Sequence, residues 1–203
     1  MDGKINAMNQ NNILDADYWS DRYQTNSAQW DLGQVSPPIK NYIDQLTNKY
    51  CRILIPGCGN AYEAAYLIEK GFTDITLIDI APALVEEIKI KFESNTSVTI
   101  ILGDFFELDQ TFDLIIEQTF FCALSPSLRP AYVHKMSSLL SPNGKLVGLL
   151  FNRDFEGGPP FGGSKQEYIQ LFESNFFLHT LEPCYNSFVK RQESELFILF
   201  IKK

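Results

Sequence analysis

From Arg52 onward, short apolar runs rich in β-branched residues alternate with segments whose apolar residues recur at helical spacing. That alternation marks βαβ units, in which each helix crosses over a sheet so that successive strands lie parallel. Arg52–Pro56 (RILIP) reads as the first strand and Ala61–Lys70 as its helix, with Ala64, Ala65, Leu67 and Ile68 on one face and Gly71 as the stop. Asp74–Asp79 is the second strand. Pro82 suits the first turn of the next helix, which carries Leu84, Val85, Ile88 and Phe92. Ser97–Leu102 is the third strand, and Phe112–Glu117 (FDLIIE) is a fourth whose unbroken apolar run fits burial on both faces. A helix over Ser125–Leu140, stopped by the turn Ser141-Pro142-Asn143-Gly144, leads to a fifth strand, Lys145–Phe151.

The Gly/Pro cluster Gly157–Gly163 cannot be regular structure and is placed as a loop at the carboxyl end of the fifth strand, where loops shape ligand sites. Ser164–Ser174 follows as a helix, with Ser164 and Glu167 spaced as a capping box. Phe176–Leu181 and Leu196–Ile201 are the last apolar runs. The segment between them is too short for a crossover helix, so the closing pair is expected to be antiparallel. The predicted class is α/β: a mostly parallel seven-stranded sheet with helices on both faces and an antiparallel C-terminal strand.

Residues 1–12 are polar and expected to be disordered, and 13–203 are expected to form a single domain. Within it, 13–50 is an extension in which Tyr18, Trp19, Tyr23 and Trp30 stand among polar residues. Pro37-Pro38 there opens an amphipathic helix through Ile39, Tyr42, Ile43 and Leu46. A length of 203 residues with 45% hydrophobic content fits one sizeable core. No apolar run reaches the roughly 18 residues of a membrane span, so no membrane partner and a cytoplasmic location are expected. The four cysteines and two histidines lack metal-ligand spacing, so no metal is expected and the thiols are read as reduced. A net charge of -8 opposes phosphate backbones, which favours a small-molecule substrate over nucleic acid. Monomer and homodimer both stay open.

The sharpest local signal is Pro56-Gly57-Cys58-Gly59-Asn60, because glycines between a strand and a helix N-terminus let the backbone approach a ligand. An ordinary tight turn is the alternative. Asp79 ends the next strand about 20 residues on, where a carboxylate can accept from both hydroxyls of a ribose. A dinucleotide site would want a small residue at Tyr62, so an adenosine ligand without a pyrophosphate fits better. Asp104 and the Phe105 N–H follow the third strand and could read an adenine, or Asp104 could cap a helix. Glu117 and Gln118, at the end of the fourth strand, are either ligand contacts or solvated.

With these residues in place, the chain resembles the thiopurine S-methyltransferase superfamily within the class I methyltransferases, and is most similar to its thiol and halide methyltransferase branch. The matching stretches are YWSDRYQTNSAQWDLG (Tyr18 to Gly33), LIPGCG (Leu54 to Gly59), LIDI (Leu77 to Ile80), FDLIIEQTFFCALSPSLRP (Phe112 to Pro130) and LLFNRDFEGGPPF (Leu149 to Phe161). The resemblance implies a Rossmann-like class I methyltransferase fold and S-adenosyl-L-methionine as cofactor. It implies Gly57 and Gly59 near the cofactor's amino acid moiety, Asp79 with Ile80 at the ribose, and Asp104 with Phe105 around the adenine. Trp19, Tyr23 and Trp30 are implied as an aromatic cover over the cofactor, and Gln118 as chamber wall. The sequence departs from the plant members in carrying Tyr23 where they have Trp and Gln118 where they have Tyr, and the second change bears on any halide preference. A sulfonium is attracted to aromatic faces. The competing reading of Trp19 and Trp30 is a core staple.

The expected reaction is in-line methyl transfer to a small soft nucleophile, such as a thiol, bisulfide, thiocyanate or halide, which needs positioning more than acid/base help. Gln118, Phe120, Phe121 and Phe161 are candidates for the dry wall around the acceptor. Arg129 or Arg153 is a candidate to attract an anionic one, against a surface or salt-bridge role for each. His134 is read as structural and Cys122 as a packed thiol. Alternatives are a methyltransferase for another small metabolite and an inactive S-adenosylmethionine-binding protein.

Overall fold

The computed structural model describes residues 14–25 and 27–203; the expectation for residues 1–12 falls outside them. The elements run α1 (Ala16–Gln24), α2 (Pro37–Asp44), β1 (Ile53–Pro56), α3 (Tyr62–Glu69), β2 (Ile75–Asp79), α4 (Pro82–Lys91), β3 (Val98–Leu102), β4 (Phe112–Gln118), α5 (Arg129–Leu139), β5 (Leu140–Phe151), α6 (Lys165–Phe172), β6 (Phe176–Pro183) and β7 (Glu195–Lys202). All seven strands form one sheet in the order β3-β2-β1-β4-β5-β7-β6. The pairings among β1 to β5 are parallel, and β7 runs antiparallel to β5 and β6, between which it is inserted. This is the class I methyltransferase architecture. The chain leaves β1 toward β2 and β3 on one side and returns to β4 on the other, so the crevice above the carboxyl ends of β1 and β4 is the switch point where such folds bind ligands.

Alternation over Leu114–Ile116 of β4 divides the core, and the pairing is irregular between Phe112 and Leu114. Phe112 and Ile115 pack with Tyr132, Met136, Tyr168 and Phe172 of α5 and α6, whereas Leu114 and Ile116 pack on the opposite face with Ile39, Leu67 and Leu84 of α2, α3 and α4. Each such side chain contributes roughly 1.5–3 kcal/mol of burial, so both layers anchor the central strands β1 and β4.

Three local expectations are corrected. The helix expected over Ser125–Leu140 is a short 3-10 turn at Pro126–Leu128 followed by α5 from Arg129, because Pro130 has no N–H to offer the carbonyl one turn back. The fifth strand starts at Leu140 rather than Lys145. Leu140 already pairs with Phe112, and Ser141–Gly144 bulge out before Lys145 pairs with Leu114, with Asn143 at φ +62°. Only half of the capping box forms: Ser164 Oγ accepts from the Glu167 N–H at 3.3 Å, but the Glu167 carboxylate pairs with Arg129.

Candidate active site

The turn after β1 holds three residues in the left-handed region, Gly57 (φ +54°), Gly59 (φ +51°) and Ala61 (φ +54°). The need for glycine at 57 is also steric, since a Cβ there would run into the ring of Phe120. Asp79, at the end of β2, ties this turn to its own: Oδ2 accepts from the Gly59 N–H at 3.3 Å and Oδ1 from the Ala81 N–H at 3.0 Å. It is 8% exposed, and burial pushes its carboxyl up against the three backbone N–H groups that pull it down. The carboxylate keeps acceptor capacity for a ligand.

Over this turn lie the aromatics of the N-terminal segment. Trp19 and Trp30 meet edge to face at 5.5 Å, Tyr23 and Trp30 at 5.9 Å, and the Tyr23 hydroxyl lies 3.3 Å from where a Gly59 Cβ would be. None of the three is fully buried, and all face one cavity. Asp31 fastens the segment by accepting from the Gly33 N–H at 2.6 Å, from Asn60 Nδ2 and from the Tyr62 hydroxyl at 3.2 Å. Arg191 adds a second tie to the carbonyl of Trp30.

On the far side, the Asp104 carboxylate accepts from the Phe106 N–H at 2.8 Å, capping a short 3-10 turn over Phe105–Glu107. Asp104 thus fills the capping role and also lines the cavity beside Gly103 and Phe105. At the end of β4 the Glu117 carboxylate is wholly buried. Its Oε1 accepts from the N–H groups of Phe120 at 2.8 Å and Phe121 at 3.0 Å, and its Oε2 from the Tyr132 hydroxyl at 2.6 Å. These bonds set the backbone that aims Phe120 at Gly57. Desolvation pushes Glu117 up to about 7, opposed by the same three donors.

The cavity measures about 1020 Å³, the upper end of ordinary small-molecule sites. It gathers Trp19, Tyr23, Trp30, Gly57, Gly59, Asp79, Ile80, Asp104, Phe105, Gln118, Phe120 and Phe161. Phe121 and Arg129, expected at the chamber, are not in its lining. Phe121 is 1% exposed and packs against Tyr132, Tyr168 and Phe172 in the core. Arg129 is buried over the Phe121 ring, paired with Glu167 and bonded to the Gly162 carbonyl at 2.6 Å. Its charge is spent inside the fold, which corrects the acceptor-attracting role. Arg153 does line the cavity, exposed and stacked on Phe155. Cys122 lines it as well, its thiol pushed by burial to about 12 and donating to the Thr119 carbonyl at 3.3 Å.

Among the cavity residues that sequence reasoning missed are Glu63, Arg191 and Arg22. Glu63 sits buried, 6% exposed, on the inner face of α3, and desolvation pushes it up to about 7. Its signal was a carboxylate on the apolar stripe with Ala64 and Leu67. Arg191, which pairs with Glu195 at 3.3 Å, carried an i,i+4 spacing of opposite charges outside any helix. Arg22 has no signal beyond its place in the aromatic segment.

The model of the thiopurine S-methyltransferase family matches residues 14–199. The chain belongs to that family. It is 33% identical over 159 residues to a probable thiol methyltransferase 2 of Arabidopsis thaliana, covering 75% of this chain and 70% of the relative. Thiocyanate methyltransferase 1 of Brassica oleracea is 30% identical over 149 residues, 70% of this chain and 66% of its own. Thiopurine S-methyltransferase of Acinetobacter baylyi is 24% identical over 189 residues, 82% and 87% of the two chains. Among solved structures, a 1,6-didemethyltoxoflavin-N1-methyltransferase of Burkholderia thailandensis with bound S-adenosylhomocysteine superposes with a TM-score of 0.75 at 16% identity. It covers all of this chain and 93% of that one. Magnesium protoporphyrin IX methyltransferase of Synechocystis with bound S-adenosylmethionine gives 0.71 at 14% identity, covering 98% and 100%. At those identities the likeness concerns the fold. Membership in the family makes the chain an S-adenosylmethionine-dependent methyltransferase. The donor set fits that cofactor: a buried carboxylate with spare acceptor capacity at the end of β2, a glycine turn, and aromatic faces suited to a sulfonium. Among the described residues no helix is long and apolar enough to cross a membrane.

Proposed function

We propose that this chain moves a methyl group to a small soft nucleophile, a thiol or one of the anions bisulfide, thiocyanate and halide. The observation that carries this reading is the two-sided cavity. One wall is Gly57, Gly59, Asp79 and the aromatic cover; the other is an apolar chamber of Phe120, Leu124, Phe151, Phe155 and Phe161. The names of the plant relatives point the same way.

In this reading Asp79, beside Ile80, holds the ribose. Asp104 and Phe105 border the adenine, and Gly57 and Gly59 the amino acid end. Trp19, Tyr23 and Trp30 close over it, and residues 13–50 act as a lid on a single domain. When bound, S-adenosylmethionine supplies an electrophilic methyl on a sulfonium. The chain's own work is to position the acceptor opposite the departing sulfur and to keep water out, for which Phe120 and Phe161 are suited. A soft nucleophile arrives already deprotonated or nearly so, which matches a chamber whose thiol, Cys122, stays protonated and serves as packing. The four free thiols fit a reducing, cytoplasmic setting.

Glu63 supports a second reading. A cavity carboxyl held near 7 could serve as a base for an oxygen or nitrogen acceptor. An endpoint assay for S-adenosylhomocysteine across bisulfide, thiocyanate, iodide, thiophenol and a thiopurine, with calorimetry of S-adenosylmethionine binding, tests the soft-nucleophile reading and cofactor use. Turnover on one member is expected. Binding without turnover on any of them overturns the soft-nucleophile reading, and no binding overturns cofactor use.

A further inference from the structure

Gln118 ends β4 and lines the cavity together with Phe120. Its Oε1 accepts from the Ser36 hydroxyl at 2.8 Å, while its Nε2 is shut off from bulk solvent with no hydrogen-bond partner in the protein. Ser36 is 1% exposed at the N-cap of α2. The amide is therefore oriented by a buried residue from a different element, with its oxygen committed and its nitrogen without a partner in the protein. Buried donors without partners are rare in native structures because each gives up its water without compensation, and those that exist call for an explanation.

We propose that Gln118 determines acceptor specificity. Its Nε2–H donates to a lone pair of an anionic sulfur acceptor, thiolate, bisulfide or thiocyanate, and Ser36 is the positioning residue that aims it. This rests on the soft-nucleophile reading. An ionised acceptor draws a stronger hydrogen bond than a neutral one, so the amide favours the reactive anion over the neutral thiol without placing a second charge in the chamber. In the reaction a sulfur lone pair of the acceptor forms the new bond to the methyl carbon. The sulfonium carbon–sulfur bond breaks, and its electron pair stays on S-adenosylhomocysteine. Gln118 keeps its protons throughout and gives the acceptor a fixed direction of approach. A carboxylate at this position would repel the same anion, and an aliphatic side chain would leave it undirected.

The experiment is steady-state kinetics with bisulfide as acceptor, beside calorimetry of S-adenosylmethionine, for the wild type and Gln118→Leu, Gln118→Glu and Ser36→Ala. Gln118→Leu is expected to raise KM for bisulfide about tenfold with a smaller change in kcat, and Gln118→Glu to lower kcat/KM about a hundredfold. Ser36→Ala is expected to raise KM about threefold with kcat held, a split that a merely structural role would not produce. Cofactor affinity is expected to stay within about threefold in all three. If Gln118→Leu loses its fold by circular dichroism, Gln118→Met keeps the length of the side chain and takes its place. An unchanged KM in a wild-type background that turns bisulfide over overturns the assignment of Gln118 alone. Cofactor binding that weakens more than the bisulfide KM rises also overturns it, by putting the amide on the cofactor. A wild type that binds cofactor but turns over no soft anion or thiol overturns the underlying reading together with it.

Discussion

Arg191 Nη2 donates to the carbonyl oxygen of Trp30 at 2.6 Å, joining the approach to β7 to the aromatic cover across 161 positions of sequence. Arg191 is 7% exposed, pairs with the buried Glu195 at 3.3 Å and lies over the Phe151 ring at 5.5 Å. One guanidinium thus touches the N-terminal aromatic segment, the last strand and the cavity-lining Phe151. Arg191→Met is expected to lower the melting temperature and to weaken cofactor binding about tenfold. Removing one partner of a buried ion pair costs about 3–5 kcal/mol, mostly from the stranded charge. Adding Glu195→Gln is expected to restore most of the melting temperature but not the affinity, because the Trp30 carbonyl still lacks its donor. Affinity recovered in the double variant, read by calorimetry, would reduce Arg191 to a stability element.

Asp79→Ala removes the acceptor of the Gly59 and Ala81 N–H groups as well as the proposed ribose contact. A weakening of S-adenosylmethionine binding by roughly 1–3 kcal/mol is expected, with a modest drop in melting temperature from the freed backbone groups. Calorimetry checks it. Unchanged affinity would take Asp79 out of the site.

Gly57→Ala tests the approach of Phe120. The added methyl meets the ring at a backbone φ of +54°, so a loss of about 2–4 kcal/mol in chemical denaturation is expected from strain and overlap together. Combining it with Phe120→Ala, which removes the overlapping Cγ and Cδ2 atoms, is expected to recover the overlap part only, a coupling that a double-mutant cycle measures.

The pH dependence of stability follows from two buried carboxyls. Glu63 and Glu117 are each raised from 4.5 to about 7 in the folded chain. The folded state therefore holds more protons than the unfolded one between these values. Their stabilising contribution is complete below 4.5 and is lost as pH rises to 7, about 3 kcal/mol per group over the window. The melting temperature is expected to fall between pH 5 and 7, and Glu117→Gln to flatten about half of that fall. An unaltered slope in the variant would mean that its three donors keep Glu117 ionised throughout.

Local signals carried most of the architecture. A strand's apolar run, a helix's period and a proline at a first turn each act within a few residues, and so the order of strands and helices, the glycine turn and the acidic ends of β2 and β3 were legible. The limits lay where neighbours in sequence part in space. Phe120 and Phe121 read alike as chamber walls. The N–H bonds of both to Glu117 start a short turn that sends one ring to Gly57 and the other between Tyr132 and Tyr168. Arg129 read as a candidate anion binder, but the capping-box glutamate that was expected to reach back to Ser164 pairs with it instead.

The sequence by itself determined the α/β alternation, the resemblance to the family and the residue types at the sheet's carboxyl edge, because periodicity and turn chemistry are properties of short stretches. Only the tertiary structure decided which side chains share the cavity and which way they face. Ser36 lies 82 positions from Gln118 and Trp30 lies 161 from Arg191, and those bonds depend on how α2 and the approach to β7 pack against the edge of the sheet. No local pattern encodes a hydrogen bond whose partners meet only after the sheet has closed.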